Sequence, residues 1–331
     1  MKNKIALVSA LAAGTLVMTA CSGDGEDGGA AGEEIHWRLG HSYGPESLEN
    51  RSAERLADNL EKASDGKITV EIFPSSQLGS WEEMQEQMEV GSVDIVIESI
   101  GSVERYTDLA GIEGVPFLYE DADHYFETWD SDLGDEIMQA IKEDSGFLLT
   151  GAIYRGPRIL NSTMPINNLA DAEGLKIRVP NQETYIQTWQ ALGTAPTPLS
   201  FNEVFSGLEQ GAIEAQENPV NVARFNSFYE VAPYIANTNH LYGSNHFQLW
   251  GETYDGWDEE TRAMYDEAVD EVSTWSREVA LEELDDNVAF LEENGVTFAD
   301  VDRTEWVEAT LDIVDSADPK VQEWVAQIRE G

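Results

Sequence analysis

The chain has 331 residues, enough for two domains with real cores, and carries 19 lysines and arginines against 64 aspartates and glutamates, a formal charge of -45. That balance excludes nucleic acid and anionic membrane surfaces as partners. It suits a saline habitat, because at about 1 M salt the Debye length is only about 3 Å and a dense acidic surface no longer repels itself.

Residues 1–20 read as a signal peptide. Lys2 and Lys4 make a basic start and residues 5–17 an apolar core, too short and too early for a spanning helix. Cys21 is the single cysteine, so no disulfide framework or cysteine-based metal site is available. Its setting after Met18, Thr19 and Ala20 resembles a bacterial lipobox, which implies lipidation of Cys21. Residues 21–34 are rich in glycine and acid and read as a flexible tether. The formal GxGxxG there (Gly23, Gly25, Gly28) follows no strand, and its aspartates would repel phosphate, so it is no dinucleotide loop.

Folded structure is expected from Ile35. Residues 35–42 form a strand that runs into a Gly/Pro-marked loop. A helix follows with Ala53, Leu56, Ala57 and Leu60 on one stripe, then an alternating strand through Ile68, Val70 and Ile72. Ser80 and Glu83 have the spacing of a capping box for a helix carrying Met84 and Met88. Val93, Ile95 and Ile97 make a third strand. This β-α-β-α-β order predicts a parallel sheet with helices outside. Residues 121–129 and 133–143 read as helices, and residues 147–154 as a strand buried on both faces, as in parallel sheets.

Residues 169–181, LADAEGLKIRVPN, are the most informative stretch. Leu175, Ile177 and Val179 alternate with Lys176 and Arg178, the period of a half-buried strand, and Pro180 ends it. Arg178 thus leaves the face opposite the apolar one close to the strand end, where open α/β sheets bind ligands. A guanidinium there suits a carboxylate held bidentately. Taken alone, Arg178 fits a surface ion pair equally well. Beyond it, residues 183–192 and 201–210 read as helices and 213–216 as a short strand. From Asp258 a long helix carries Met264, Ala268, Val272, Trp275 and Val279 on one stripe, and residues 306–328 are mainly helical.

No enzyme motif is present: the sequence has no HExxH, GxSxG, Walker loop or EF-hand ladder. Asp121, Asp123 and His124 are too close along one helix to converge on a metal, and no cofactor is expected. With 64 acids, a carboxylate pair carries little information about glycoside hydrolysis.

Several separate stretches, in order, carry a family likeness. They are PSSQLGSWEEM from Pro74, PFLY from Pro116, GLKIRVPN around Arg178, the Pro-Thr-Pro before Phe201 with its following Glu-Val, and Gln216-Glu217-Asn218-Pro219. Together they resemble the DctP-type solute-binding subunits of tripartite ATP-independent periplasmic (TRAP) transporters. The resemblance implies an α/β, two-lobed fold of the periplasmic-binding-protein type II kind, with a ligand cleft between lobes and a long helix spanning both. Residues 35–160 and 245–285 would form lobe I, and residues 161–244 and 286–331 lobe II. It implies an extracytoplasmic, lipid-anchored protein that hands a small organic acid (a sugar acid, a hydroxy or keto acid, or an aromatic carboxylate) to membrane subunits driven by an ion gradient. Arg178 would hold the carboxylate, with Asn181, Phe201 and Asn218 lining the same cleft. Turn formation is the alternative for the two asparagines, and core packing for Phe201. Ser42 and Glu98 occupy the matching strand-end positions of the first lobe, Arg158 adds a second positive group or supports the hinge, and Trp81 lines an apolar wall or packs in the core. Met164 stands where sialic-acid-binding members carry a second arginine, which disfavours sialic acid. A sensory binding protein and a secreted hydrolase are the alternative functions.

Overall fold

The computed structural model describes residues 34–330. The expected signal peptide, Cys21 and most of the expected tether lie outside the described residues.

The first part of the chain alternates as expected: β1 (Ile35–His41), α1 (Leu48–Ala63), β2 (Ile68–Phe73), α2 (Trp81–Glu89) and β3 (Ile95–Ser99). Ser47 caps α1 by accepting the Asn50 amide, and Ser80 with Glu83 forms the predicted capping box on α2. α3 (Ala122–Trp129), with Asp121 as its cap, and α4 (Asp132–Ser145) lead into β4 (Phe147–Ser162). Then come β5 (Lys176–Val179), α5 (Glu183–Ala191), β6 (Ala195–Pro198), α6 (Val204–Glu209), β7 (Ala215–Pro219), α7 (Val220–Phe225) and α8 (Phe228–Val231). The chain returns through β8 (Tyr234–Trp250), α9 (Gly251–Asp255), α10 (Glu259–Glu282), α11 (Leu284–Glu293), β9 (Thr297–Ala299), α12 (Arg303–Thr310) and α13 (Pro319–Glu330).

The strands make one sheet in the order β2-β1-β3-β8-β4-β7-β5-β6, with β9 on β8. Its two ends are parallel, β1 with β2 and β3, and β5 with β6 and β7. The long strands β4 and β8 run antiparallel between them and belong to both lobes. Near one end of this ladder β3 joins β8 at residues 245–248, and near the other β7 joins β4 at residues 158–162. Register shifts interrupt it at Thr150/Ile153, Tyr154/Gly156 and Arg158/Leu160. Such bulges bend and twist a ribbon locally.

Helices cover both faces of each half-sheet. In lobe I, Ile137, Ile141 and Phe147 pack on one face, and Trp37, Leu56, Tyr265 and Val272 on the other. In lobe II, Ile177, Val179, Trp189 and Trp306 form one core, and Ile159, Ala223, Ile235 and Leu291 another. The long helix α10, capped by Asp258, lays Tyr265, Ala268, Val269 and Val272 on lobe I. Its C-terminal end and α11 continue to lobe II, where Asn287 accepts from Arg224 of α7 at 3.0 Å.

Four details differ from the sequence reading. The strand expected at 147–154 continues to Ser162 and pairs antiparallel; it is apolar because α4 and α10 cover it from both sides. The strand expected at 213–216 begins at Ala215 and includes Glu217, Asn218 and Pro219. β6, two of whose four residues are proline, and β8, rich in Asn, His, Ser and Gln, carry no ordinary strand pattern. Residues 286–331 are not all in lobe II: α13 buries Val321, Trp324 and Ile328 against Ile137 and Ile141 of lobe I.

Candidate functional site: an arginine-lined cavity between the lobes

The C-terminal ends of β1, β3, β5 and β7 converge on one cavity, as the crevice rule for open α/β sheets requires. Its walls are Tyr43, Trp81, Glu98 and Ser99 from lobe I, Arg155 and Arg158 from β4, and Arg178, Pro180, Gln182, Tyr185, Phe201 and Asn218 from lobe II. The cavity measures about 30 Å³, far below the roughly 300–1,000 Å³ of small-ligand sites.

Three arginines reach it, in different electrostatic settings. Arg158 forks onto Glu217, with Nε 2.6 Å from Oε2 and Nη2 2.7 Å from Oε1. His240 Nε2 lies 3.1 Å from the same carboxylate, while Nδ1 faces Thr238. Burial lowers the basicity of the imidazole, against the pull of the Glu217 carboxylate. Burial alone would raise the Glu217 carboxyl, but Arg158 and the His240 hydrogen bond hold it down to about 2. Arg155 donates to Asn218 Oδ1 at 3.1 Å, and its Nε lies 3.6 Å from Glu49. Asn218 in turn donates to Gln216, and Gln216 to Asn161. This chain of amides fixes the orientation of Asn218.

Arg178 differs. It is 3% exposed. Its Nε donates to the Leu199 carbonyl at 2.8 Å, and its guanidinium lies 5.8 Å from the Phe201 ring centre. Among the described residues no carboxylate lies within ion-pair distance of it. Burial pulls its pKa down to about 10, against the pull of Glu217. Opposite, Glu98 is buried and accepts from Tyr43 Oη at 3.3 Å and from the Ser99 amide at 3.0 Å. Burial raises its pKa. The cavity thus offers one uncompensated fork of donors, a carboxylate acceptor and amide groups, walled by Phe201, Tyr43, Trp81 and Tyr185. That set suits a small acid carrying hydroxyl groups.

Of the residues singled out from sequence, Arg178, Arg158, Glu98, Trp81, Phe201 and Asn218 line this cavity. Two do not. Asn181 is exposed and faces an outer groove, because the turn after Pro180 sends Gln182 inward instead. Ser42 is buried beside the cavity, and its neighbour Tyr43 supplies the wall. Met164 is 40% exposed and is not among the residues that line the cavity. Sequence reasoning missed Tyr43, Arg155, Gln182 and Tyr185. Arg155 is three residues from Arg158, which on a regular strand is the opposite face; the register shift at Tyr154/Gly156 turns both inward. Among the described residues no cluster of His, Cys, Asp and Glu is arranged to hold a metal ion.

A two-lobed α/β molecule with a polar, arginine-lined cavity at the strand ends is the architecture of a solute-binding protein. The profile of the DctP family, bacterial extracellular solute-binding protein family 7, matches residues 39–320, and the chain belongs to that family. A solute-binding protein of Roseobacter denitrificans is 32% identical over 285 residues, 86% of this chain and 87% of the relative. The crystal structure of a TRAP periplasmic solute-binding protein from that organism, with bound L-galactonate, superposes with a TM-score of 0.85 at 30% identity, covering 90% of this chain and 99% of the other. A TRAP periplasmic solute-binding protein of Xanthobacter autotrophicus with bound β-D-galacturonate gives 0.85 at 25% identity, covering 89% and 99%. These relatives are binding proteins rather than enzymes, and no helix among the described residues is long and apolar enough to cross a membrane.

Proposed function

We propose that this protein captures a sugar acid through an Arg178–carboxylate salt bridge and delivers it to the membrane subunits of a TRAP transporter. The carrying observation is the buried Arg178 guanidinium without a carboxylate partner among the described residues, in a cavity whose other two arginines each face a carboxylate. A buried cation in that state favours binding of an anion. Glu98, Arg155 and Asn218 are suited to hydroxyl groups, and the L-galactonate and β-D-galacturonate held by similar proteins have that chemistry. The walls part to admit the acid and close over it about the bulged centre of β4 and β8. In this reading residues 35–160, 245–285 and α13 move as one lobe and the remainder as the other. The protein is extracytoplasmic, tethered by a lipid on Cys21, and its acidic surface is adapted to salt.

Thermal unfolding in high salt tests this against L-galactonate, D-galacturonate and related acids, each paired with its neutral lactone, amide or alcohol. A ligand at a hundred times its Kd adds about 2.7 kcal/mol. Acids should raise Tm and their neutral partners should not; equal shifts from both would remove Arg178 from its role.

A further inference from the structure

The N-terminus of α5 follows directly on the Arg178 strand, and its cap is unusual. Gln182, at the cap position, makes no side-chain capping hydrogen bond. The Thr184 amide donates instead to Glu104 Oε1 at 3.1 Å, and the Thr184 hydroxyl donates to the same oxygen. Glu104 lies in the other lobe: its flanking residues Ile100, Val103, Ala110 and Ile112 belong to the core with Ile137 and Phe147, whereas Tyr185 and Trp189 of α5 pack with Ile177 and Val179. A carboxylate at a helix N-terminus meets unpaired amides and the positive end of the dipole.

The surface around Glu104 is cut to admit this helix end. A Cβ on Gly111 would stand 2.9 Å from Thr184 Oγ1, and one on Gly114 2.8 Å from Thr184 Cβ. Side chains at those two positions would hold α5 away. Neighbouring Gln182 and Tyr185 line the ligand cavity, so the same closure that seats Thr184 brings those walls together.

We propose that Glu104 and Thr184 form a latch across the lobes, in which lobe I supplies the missing cap of α5 only when the cleft is closed. The proposal rests on the reading above that the protein closes around a ligand. It assigns Glu104 a positioning role: it touches no ligand and sets how long the closed state lasts.

The test uses the full chain with Cys21→Ser and spin labels at Val90→Cys and Lys176→Cys, one on each lobe. Interlabel distances are measured without ligand and with saturating L-galactonate, alongside the L-galactonate release rate. Glu104→Ala should release L-galactonate about tenfold faster, the size of a lost helix cap, and should deplete the short-distance population. Glu104→Gln, which still accepts the amide, should fall between it and wild type. Gly114→Ala should hold the lobes apart by steric contact alone. Adding Thr184→Val to Glu104→Ala should cost little more, because the two act as one pair. Unchanged distances and release in Glu104→Ala and Gly114→Ala would overturn the latch. So would the absence of a short-distance population from wild type under both conditions. Arg178→Ala separates the two readings: it should lose L-galactonate yet keep the ligand-free distances. If wild type ignores L-galactonate, the ligand reading fails, and the latch is judged on whether Glu104→Ala depletes the ligand-free short population.

Discussion

Arg158 and Arg178 face the same cavity, yet they stand in opposite electrostatic conditions. Arg158 is forked onto Glu217, which His240 also contacts, so its charge is answered within the fold. Arg178 has a carbonyl and an aromatic ring but no carboxylate among the described residues. A buried ion pair that loses one partner leaves a costly charge behind, whereas a buried cation without a partner is already in that state and gains when an anion arrives. Arg158 thus ties β4 to β7 through Glu217, whereas Arg178 is left without an anionic partner among the described residues.

The largest expected effect breaks the second half of this comparison. Arg178→Ala should lower affinity for the bound acid by about 3–5 kcal/mol, or roughly two to four orders of magnitude. Without ligand, its unfolding should be unchanged or slightly harder, because the variant removes an unpaired buried charge. Titration calorimetry and denaturant unfolding on the same preparations check both; a large loss of ligand-free stability would mean that Arg178 is structural after all.

A smaller effect should break the first half. Glu217→Gln keeps the shape of the side chain and removes the charge that answers Arg158. It should destabilise the ligand-free protein by about 1.5–3 kcal/mol, the scale of hydrogen bonds to a charged group. Urea midpoints measure this, and a variant as stable as wild type would show that Arg158 draws its compensation from elsewhere in the cavity.

The two arginines were not equally legible in the sequence. Arg178 follows from local pattern: Leu175, Ile177 and Val179 set the apolar face, and Pro180 marks the end of the strand. The lobe I alternation and the caps at Ser80 and Asp258 are local in the same sense. The partner of Arg158 is not local, since Glu217 comes from another strand paired in register Ile159↔Asn218. Arg155 shows the same limit in a sharper form. Period-two alternation sets it opposite Arg158, and only a bulge in a long-range ladder reverses that. β8 was hidden because it is buried on both sides yet built from Asn, Ser, His and Gln, whose polar groups are answered by side chains such as Glu49, Gln85 and Ser102. α13 was misplaced because a helical stripe reveals which face is buried but not in which lobe.

A third carboxyl sharpens the comparison by distance from the cations. Glu113 is buried like Glu217, and its oxygen accepts the Gly101 amide. Burial pushes it up to about 7, with only partial relief from that amide and from Arg158 and Arg155, which are too far to pair with it. Glu217, in direct contact with Arg158, stays at about 2. The consequence for stability has a definite sign. A carboxyl whose folded pKa lies above its ordinary value favours folding in its protonated form. Its contribution is therefore complete below about 4.5 and is lost as the pH rises through about 7. Glu113→Gln stays neutral throughout and carries no such dependence. The difference in unfolding free energy between wild type and Glu113→Gln should fall steadily from pH 4.5 to 8 and then level. Taking the difference cancels the buried histidines His41 and His246, held near 4, whose contributions run the other way and are lost as the pH falls below about 6.5. A flat difference across that range would mean that Glu113 stays ionised, with Arg155 and Arg158 answering it as fully as Arg158 answers Glu217.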